Sequence, residues 1–125
     1  MRLLECLVAL AVASLLGACQ LQGEALPGNL LGLWTTDAPK YRDRFFYLHP
    51  DNLTFGTGGG DSYSNDIVNI DITEEDGRRL YHLEHVGAEG QTYFFSFYYE
   101  PENGGVIKLK NQEEIPWTKE RRSKP

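Results

Sequence analysis

Few residues in this chain have types and spacing that could do chemistry. His82 and His85 flank Leu83 and Glu84 in the run HLEH, which on a helix would suggest a metal or general-base pair. On a strand, residues three apart point to opposite faces. Only His82 and Glu84 would then share a side, and they read as polar residues of a half-exposed strand rather than zinc ligands. Thr57-Gly58-Gly59-Gly60-Asp61 is rich in glycine, but no lysine-serine pair or helix follows to cradle a phosphate. Asp61, Asn65 and Asp66 hint at calcium, yet Tyr63 stands where an EF-hand loop needs an oxygen ligand. That stretch reads as a flexible hairpin loop. Asp71, Glu74, Glu75 and Asp76 crowd a turn and keep it soluble, whereas an acid–base pair would lie in a cleft. No G-x-S-x-G element or free cysteine offers a nucleophile. The expectation is a non-enzyme with no metal and no cofactor.

The side chain with the clearest chemical fate is Cys19. Met1 and Arg2 give a minimal positive start, and Leu7 to Leu16 reads LVALAVASLL, about ten apolar residues and too few to span a bilayer. Small Gly17 and Ala18 then lead into the cysteine. The tetrapeptide Leu16-Gly17-Ala18-Cys19 resembles the lipobox of bacterial lipoprotein precursors. The resemblance implies a signal peptide over 1–18, cleavage before Cys19, and a new terminal cysteine carrying a thioether-linked diacylglycerol and an amide-linked third chain such as palmitate. Several chains anchor where one would not, since each buried methylene contributes about 0.8 kcal/mol. Gln20 takes the place where an aspartate signals inner-membrane retention, which favours the outer membrane, facing the periplasm.

The formal net charge is −6, and such an acidic body is a poor partner for nucleic acid. Cys6 falls in the leader and Cys19 is acylated on this reading, so no thiol is left for a disulfide. Packing alone must hold the fold, and the aromatic residues that make up 12% of the chain are its main resource.

Residues 19–31 contain Gly23, Pro27 and Gly28 with little periodicity and read as an acylated tether. From Gly32, short β-prone runs are punctuated by turn residues. They are Leu33 to Thr36, Arg44 to Leu48, Leu53 to Gly56, Ile67 to Thr73, Leu80 to Val86, Gln91 to Glu100, Val106 to Leu109 and Ile115 to Lys119. Asp76-Gly77 and Asn103-Gly104 are hairpin turn signals. In the fourth run Val68, Ile70 and Ile72 alternate with Asn69 and Asp71, which places those three on the core face. In the sixth, Tyr93, Phe95, Phe97 and Tyr99 share one face and Phe94, Ser96 and Tyr98 the other. About eight strands joined by sequential hairpins predict an all-β domain over 32–118, a small antiparallel up-and-down β-barrel. Residues 119–125 form a basic tail, with Lys119, Arg121, Arg122 and Lys124 against Glu120.

Gly32-Leu33-Trp34 on the first strand resembles the G-x-W element of lipocalins and their calycin relatives. The resemblance implies a lipocalin-like barrel in which the tryptophan closes one end under a basic residue near the carboxyl end, here Arg121 or Arg122. A guanidinium over an indole gains cation–π and stacking energy of about 0.5–2 kcal/mol. Large side chains on strands of five to seven residues should fill the barrel, leaving recognition to the outer face and loops. Phe94 and Tyr98 are the candidate contact surface. The functional expectation is a membrane-anchored binding or interaction module for an envelope protein or small ligand. A carrier of a small apolar ligand and an assembly factor of the envelope are the alternatives.

Mass spectrometry of the mature protein should find diacylglycerol on Cys19, and Cys19→Ala should move the protein from the membrane to the soluble fraction. Unchanged membrane association of that variant would refute the anchor.

Overall fold

A computed structural model describes residues 24–120, so the lipobox, Cys19, Arg121 and Arg122 lie outside the described residues. Eight strands form in chain order: β1 Gly32–Thr35, β2 Phe45–Leu48, β3 Asn52–Gly58, β4 Asp61–Glu75, β5 Arg78–Val86, β6 Thr92–Glu100, β7 Val106–Leu109 and β8 Gln112–Lys119. Each pairs antiparallel with the next, and β8 returns to β1 to close the barrel. The turns follow from local chemistry. Asp76 and Gly77 both take positive φ, 54° and 78°, the pairing that a two-residue type I′ hairpin requires. At Gly56 the need is space: Phe45, directly across on β2, lays its ring where a Cβ would stand.

The stretch expected to be a glycine-rich loop is largely strand. β4 begins at Asp61, and its first residues pair with β3 from Ser62↔Gly56 to Asp66↔Asn52. The outward residues there are polar and bond across the hairpin, as Thr54 Oγ1 does with Ser64 Oγ at 2.7 Å. A strand whose wet face is serine and aspartate shows no apolar alternation, which is why it reads as a loop.

The expected phase of β4 also changes partway along. Asn65 and Ile67 point inward, Val68 is 41% exposed, and Ile70 is buried again. The ladder with β5 explains this: Ile67 pairs with His85 and Asn69 with Glu84, so Val68 is an extra residue in a β-bulge. The simple alternation that put Val68 in the core is thus corrected by one inserted position. Val68 faces water.

The interior is filled. Phe46 lies 5.1 Å from both Phe95 and Trp117, centroid to centroid, Phe95 is 5.5 Å from Phe97, and Phe97 stacks on Tyr81 at 5.3 Å. Trp34 stacks beside Phe46 at 6.3 Å and meets Tyr99 edge-on at 6.2 Å. These rings occupy the volume that a central ligand chamber would need.

One end of this core is closed by a segment read as tether. The Glu24 N–H donates to the Ile70 carbonyl at 2.8 Å, Leu26 and Leu30 are buried, and Gly28–Leu30 forms a 3₁₀ turn across the barrel end. Pro27 and Gly28 disguise the segment, because a single turn buries two leucines without any repeat of apolar spacing.

The bulge generates a test. Ile67→Ala should cost about 2–5 kcal/mol in urea unfolding, the range for truncating a buried aliphatic side chain. Val68→Ala should stay within about 0.5 kcal/mol. The reverse order would restore the unbroken alternation.

Candidate functional site

Two hairpins stand side by side at the barrel end away from the Leu30 turn. β3 and β4 stay paired to Gly58↔Asp61, and β5 and β6 to Val86↔Thr92. The ladder between β4 and β5 stops at Asp66↔Val86. Residues 61–65 therefore diverge from β5, and a cleft of about 490 Å³ opens between the hairpins.

Its floor is a polar pair inside the barrel. Asn65 and His85 are buried, and the Asn65 side-chain amide donates to His85 Nδ1 at 2.9 Å. That bond occupies the lone pair of Nδ1 and leaves the proton on Nε2, so the neutral imidazole has no free nitrogen to act as a base or to hold a metal. Burial also pushes its pKa below the ordinary 6.5, since a low-dielectric site disfavours the charged ring. The walls are aromatic. Phe55 packs 5.6 Å from His85, 5.4 Å from Tyr63 and 5.3 Å from Phe95, and Tyr93 stacks near the imidazole at 5.6 Å. Tyr63 and Tyr93 remain 50% and 46% exposed. Such a mouth suits a flat or apolar group that stacks on rings and accepts a hydrogen bond from its floor.

His82 is on the outside of the same strand, its Nδ1 3.0 Å from Ser96 Oγ and its Nε2 3.4 Å from Thr73 Oγ1. The two histidines thus point apart, as strand geometry requires. Among the described residues no group of three or more His, Cys, Asp or Glu is arranged to hold a metal ion.

Phe94 and Tyr98 have different fates, although both project outward from β6. Phe94 is 69% exposed. Tyr98 is 3% exposed, because the Arg78 guanidinium covers its ring at 3.8 Å and its hydroxyl donates to the Glu75 carboxylate. Lys110 completes the cluster, 3.2 Å from the same carboxylate. The Tyr98 hydroxyl and then the Lys110 ammonium hold the Glu75 carboxyl below its usual range. The expectation of a row of two exposed rings is corrected: Tyr98 is locked under a salt bridge and Phe94 stands alone.

Trp34 is fully buried, and its indole N–H donates to the Leu30 carbonyl at 2.9 Å. The cation beside it is Lys119, whose Nζ lies 5.8 Å from the ring centre and donates to the carbonyls of Asn29 and Leu31 at 2.8 and 3.0 Å. Its charge groups Lys119 with the basic tail in the sequence, yet it follows Trp117 by two residues and so belongs to the same face of β8.

Compared with known proteins, the chain matches no family model, no curated protein and no solved structure. The class that the structure itself defines is an eight-stranded, antiparallel, up-and-down barrel with a filled interior and an aromatic mouth.

The neutral His85 makes stability depend on pH. An imidazole that resists protonation in the fold and accepts a proton freely when unfolded lets the unfolded chain take up that proton first as pH falls. Unfolding free energy should therefore fall between about pH 7 and pH 5 and stop responding to this group below its folded pKa. His85→Gln should flatten that part of the curve while leaving the more acidic limb, where Glu75 is protonated. An unchanged slope in His85→Gln would assign the dependence elsewhere.

Proposed function

We propose that the chain is a lipid-anchored bacterial envelope lipoprotein whose barrel is a binding module, with recognition at the mouth between the two hairpins. The observation that carries this reading is the pair of half-exposed tyrosines over a cleft floored by a satisfied Asn65–His85 pair, at the end of an otherwise filled barrel. Exposed rings around a concave site are uncommon on a surface without a ligand or partner.

The lipobox resemblance supplies the anchor, and the fold limits its reach. Cys19 and Glu24 are five residues apart, so the acylated terminus extends at most about 18 Å from the point where Glu24 meets β4. From Ile70 to Tyr63 the same strand runs about 23 Å toward the mouth. On this reading the barrel sits close to its membrane with the mouth directed away, toward a ligand in the aqueous periplasm. The G-x-W likeness supports a lipocalin-like carrier as the second reading. Its ligand would then sit in the mouth, since the centre holds Phe46, Phe97 and Trp117.

Quinoline, flat and with a ring nitrogen that accepts a hydrogen bond, is a suitable probe for nitrogen-15 NMR of the full chain in nanodiscs. Saturable shifts are expected at Tyr63, His85 and Tyr93, weakened about tenfold in the Tyr63→Ala/Tyr93→Ala double variant, a loss equivalent to about 1.4 kcal/mol. Equal affinity in that variant would eliminate the mouth as the site.

A further inference from the structure

β6 has neighbours on both sides for only part of its length. β5 pairs with it from Thr92 to Tyr98, whereas β7 pairs with it only from Phe97 to Glu100. The Lys110 N–H reaches the Ser96 carbonyl at 3.0 Å. Beyond that bond no strand among the described residues lies along this side of β6. In an antiparallel strand the N–H and C=O of one residue point the same way, and the direction alternates along the chain. The Ser96 carbonyl faces β7, so the main chain of Phe94, two residues earlier, faces the open edge. A groove of about 540 Å³ follows this edge, with Phe94 and Ser96 on one side and Leu109 and Gln112 on the other.

Proteins normally blunt a free edge with a charge, a proline, a bulge or a covering segment. The outer edge of β4 has such protection. Asp51 accepts from the Ile67 N–H at 3.0 Å, Glu24 donates to Ile70, and Asp71 and Glu74 add charge. The β6 edge, Thr92-Tyr93-Phe94-Phe95, has no charge and no proline, and its ladder with β5 runs without a bulge.

The outer face beside this edge is acidic. Glu84 lies directly across from Phe94, and Asp66 and Asp71 occupy the flanking rows of β4, opposite Val86 and His82. On β4, β5 and β6 no lysine or arginine lies in those three rows. His82 is engaged by Ser96 and Thr73, and Lys110, in the groove, is held by Glu75. We propose that the edge of β6 at Phe94 docks an extended, basic segment of a partner polypeptide, which pairs its main chain with Phe94 and sets a lysine or arginine against Glu84. Main-chain pairing supplies the affinity and the alternate side chains the selectivity, as in strand addition generally. This site adjoins the mouth, whose lining also includes Phe94 and Phe95. It uses the main chain of β6 on the side away from β5 and the outward carboxylate of Glu84, neither of which the Tyr63→Ala/Tyr93→Ala variant alters, so either can fail alone.

The test uses the full nitrogen-15-labelled chain in phosphatidylcholine nanodiscs, which carry no net charge to attract a basic peptide. The probes are three capped hexapeptides: alternating Lys and Val, alternating Glu and Val, and the Lys–Val peptide with proline in place of each valine. The Lys–Val peptide should bind saturably, shift the Phe94 amide and slow its hydrogen exchange at least tenfold. The Glu–Val peptide should bind at least tenfold more weakly, and the proline peptide should not protect Phe94. Glu84→Gln should narrow the charge preference and Glu84→Lys narrow it further, since Asp66 and Asp71 remain, with unchanged spectra elsewhere showing that both variants fold. Equal binding of the first two peptides, or binding that leaves the Phe94 amide unmoved, would overturn the proposal. So would an amide already protected in the peptide-free protein in proportion to its concentration, because a second copy of the chain would then occupy the edge.

Discussion

The hydrogen bond from the Trp34 indole to the Leu30 carbonyl is the junction on which the closed end of the barrel depends. The indole is too large to sit in the core with its N–H unpaired at no cost, and a buried orphan donor forfeits about 1–3 kcal/mol. Leu30 offers its carbonyl because the chain makes a 3₁₀ turn before entering β1. The neighbouring carbonyls of Asn29 and Leu31 are answered by Lys119 from the last strand. Two parts of the chain distant in sequence, residues 29–34 and Lys119, thus meet at one polar knot beneath a large apolar ring. The same knot secures the seam of the barrel, where β1 and β8 share only two paired positions, Trp34↔Lys119 and Thr35↔Thr118. Thr36, bonded to the Pro116 carbonyl at 2.8 Å, and the Glu120 N–H, bonded to Leu33 at 2.8 Å, extend the closure on either side.

With one end sealed and the middle occupied by rings, polar chemistry is displaced to the other end. The Trp117 indole nitrogen is the exception, a buried donor without a partner among the described residues. Asn65 and His85 sit where the strands diverge, deep enough to be desolvated and close enough to the opening to address a ligand. The mouth exists because β4 outruns β5, and its length difference follows from the polar β3–β4 hairpin. A feature that looks like a disordered loop in the sequence is what holds one wall of the cleft.

The barrel itself was legible because its signals are local. Apolar runs with strand periodicity, Asp76-Gly77 and the aromatic run of β6 each point to the same architecture, and they agree. What could not be read depends on pairing across the fold. The Val68 bulge is visible only against β5, since nothing in Ile67-Val68-Asn69-Ile70 marks which residue is extra. The burial of Leu26 and Leu30 requires an open barrel end to receive them. Alternation separates His82 from His85 but does not say which is inside. The partner that decides it, Asn65, lies twenty positions earlier in a stretch that reads as loop. Tyr98 reads as an exposed ring because its cover comes from Arg78, Glu75 and Lys110, contributed by three other segments.

The unequal lengths of the strand ladders give the domain a preferred order of loosening. β4, β5 and β6 are joined by seven to nine paired positions at each interface, whereas β1 meets β8 at two. Sub-global opening therefore begins at the β1–β8 seam, with amides there exchanging at lower free energy than those of the long three-strand sheet. The sheet that persists carries His85, Tyr93 and the free edge at Phe94, while Asn65 also remains tied to the β3 hairpin. Both proposed surfaces thus belong to the last unit to open, although the unpaired Phe94 amide at its edge exchanges freely, and the barrel can breathe at its seam without dismantling either.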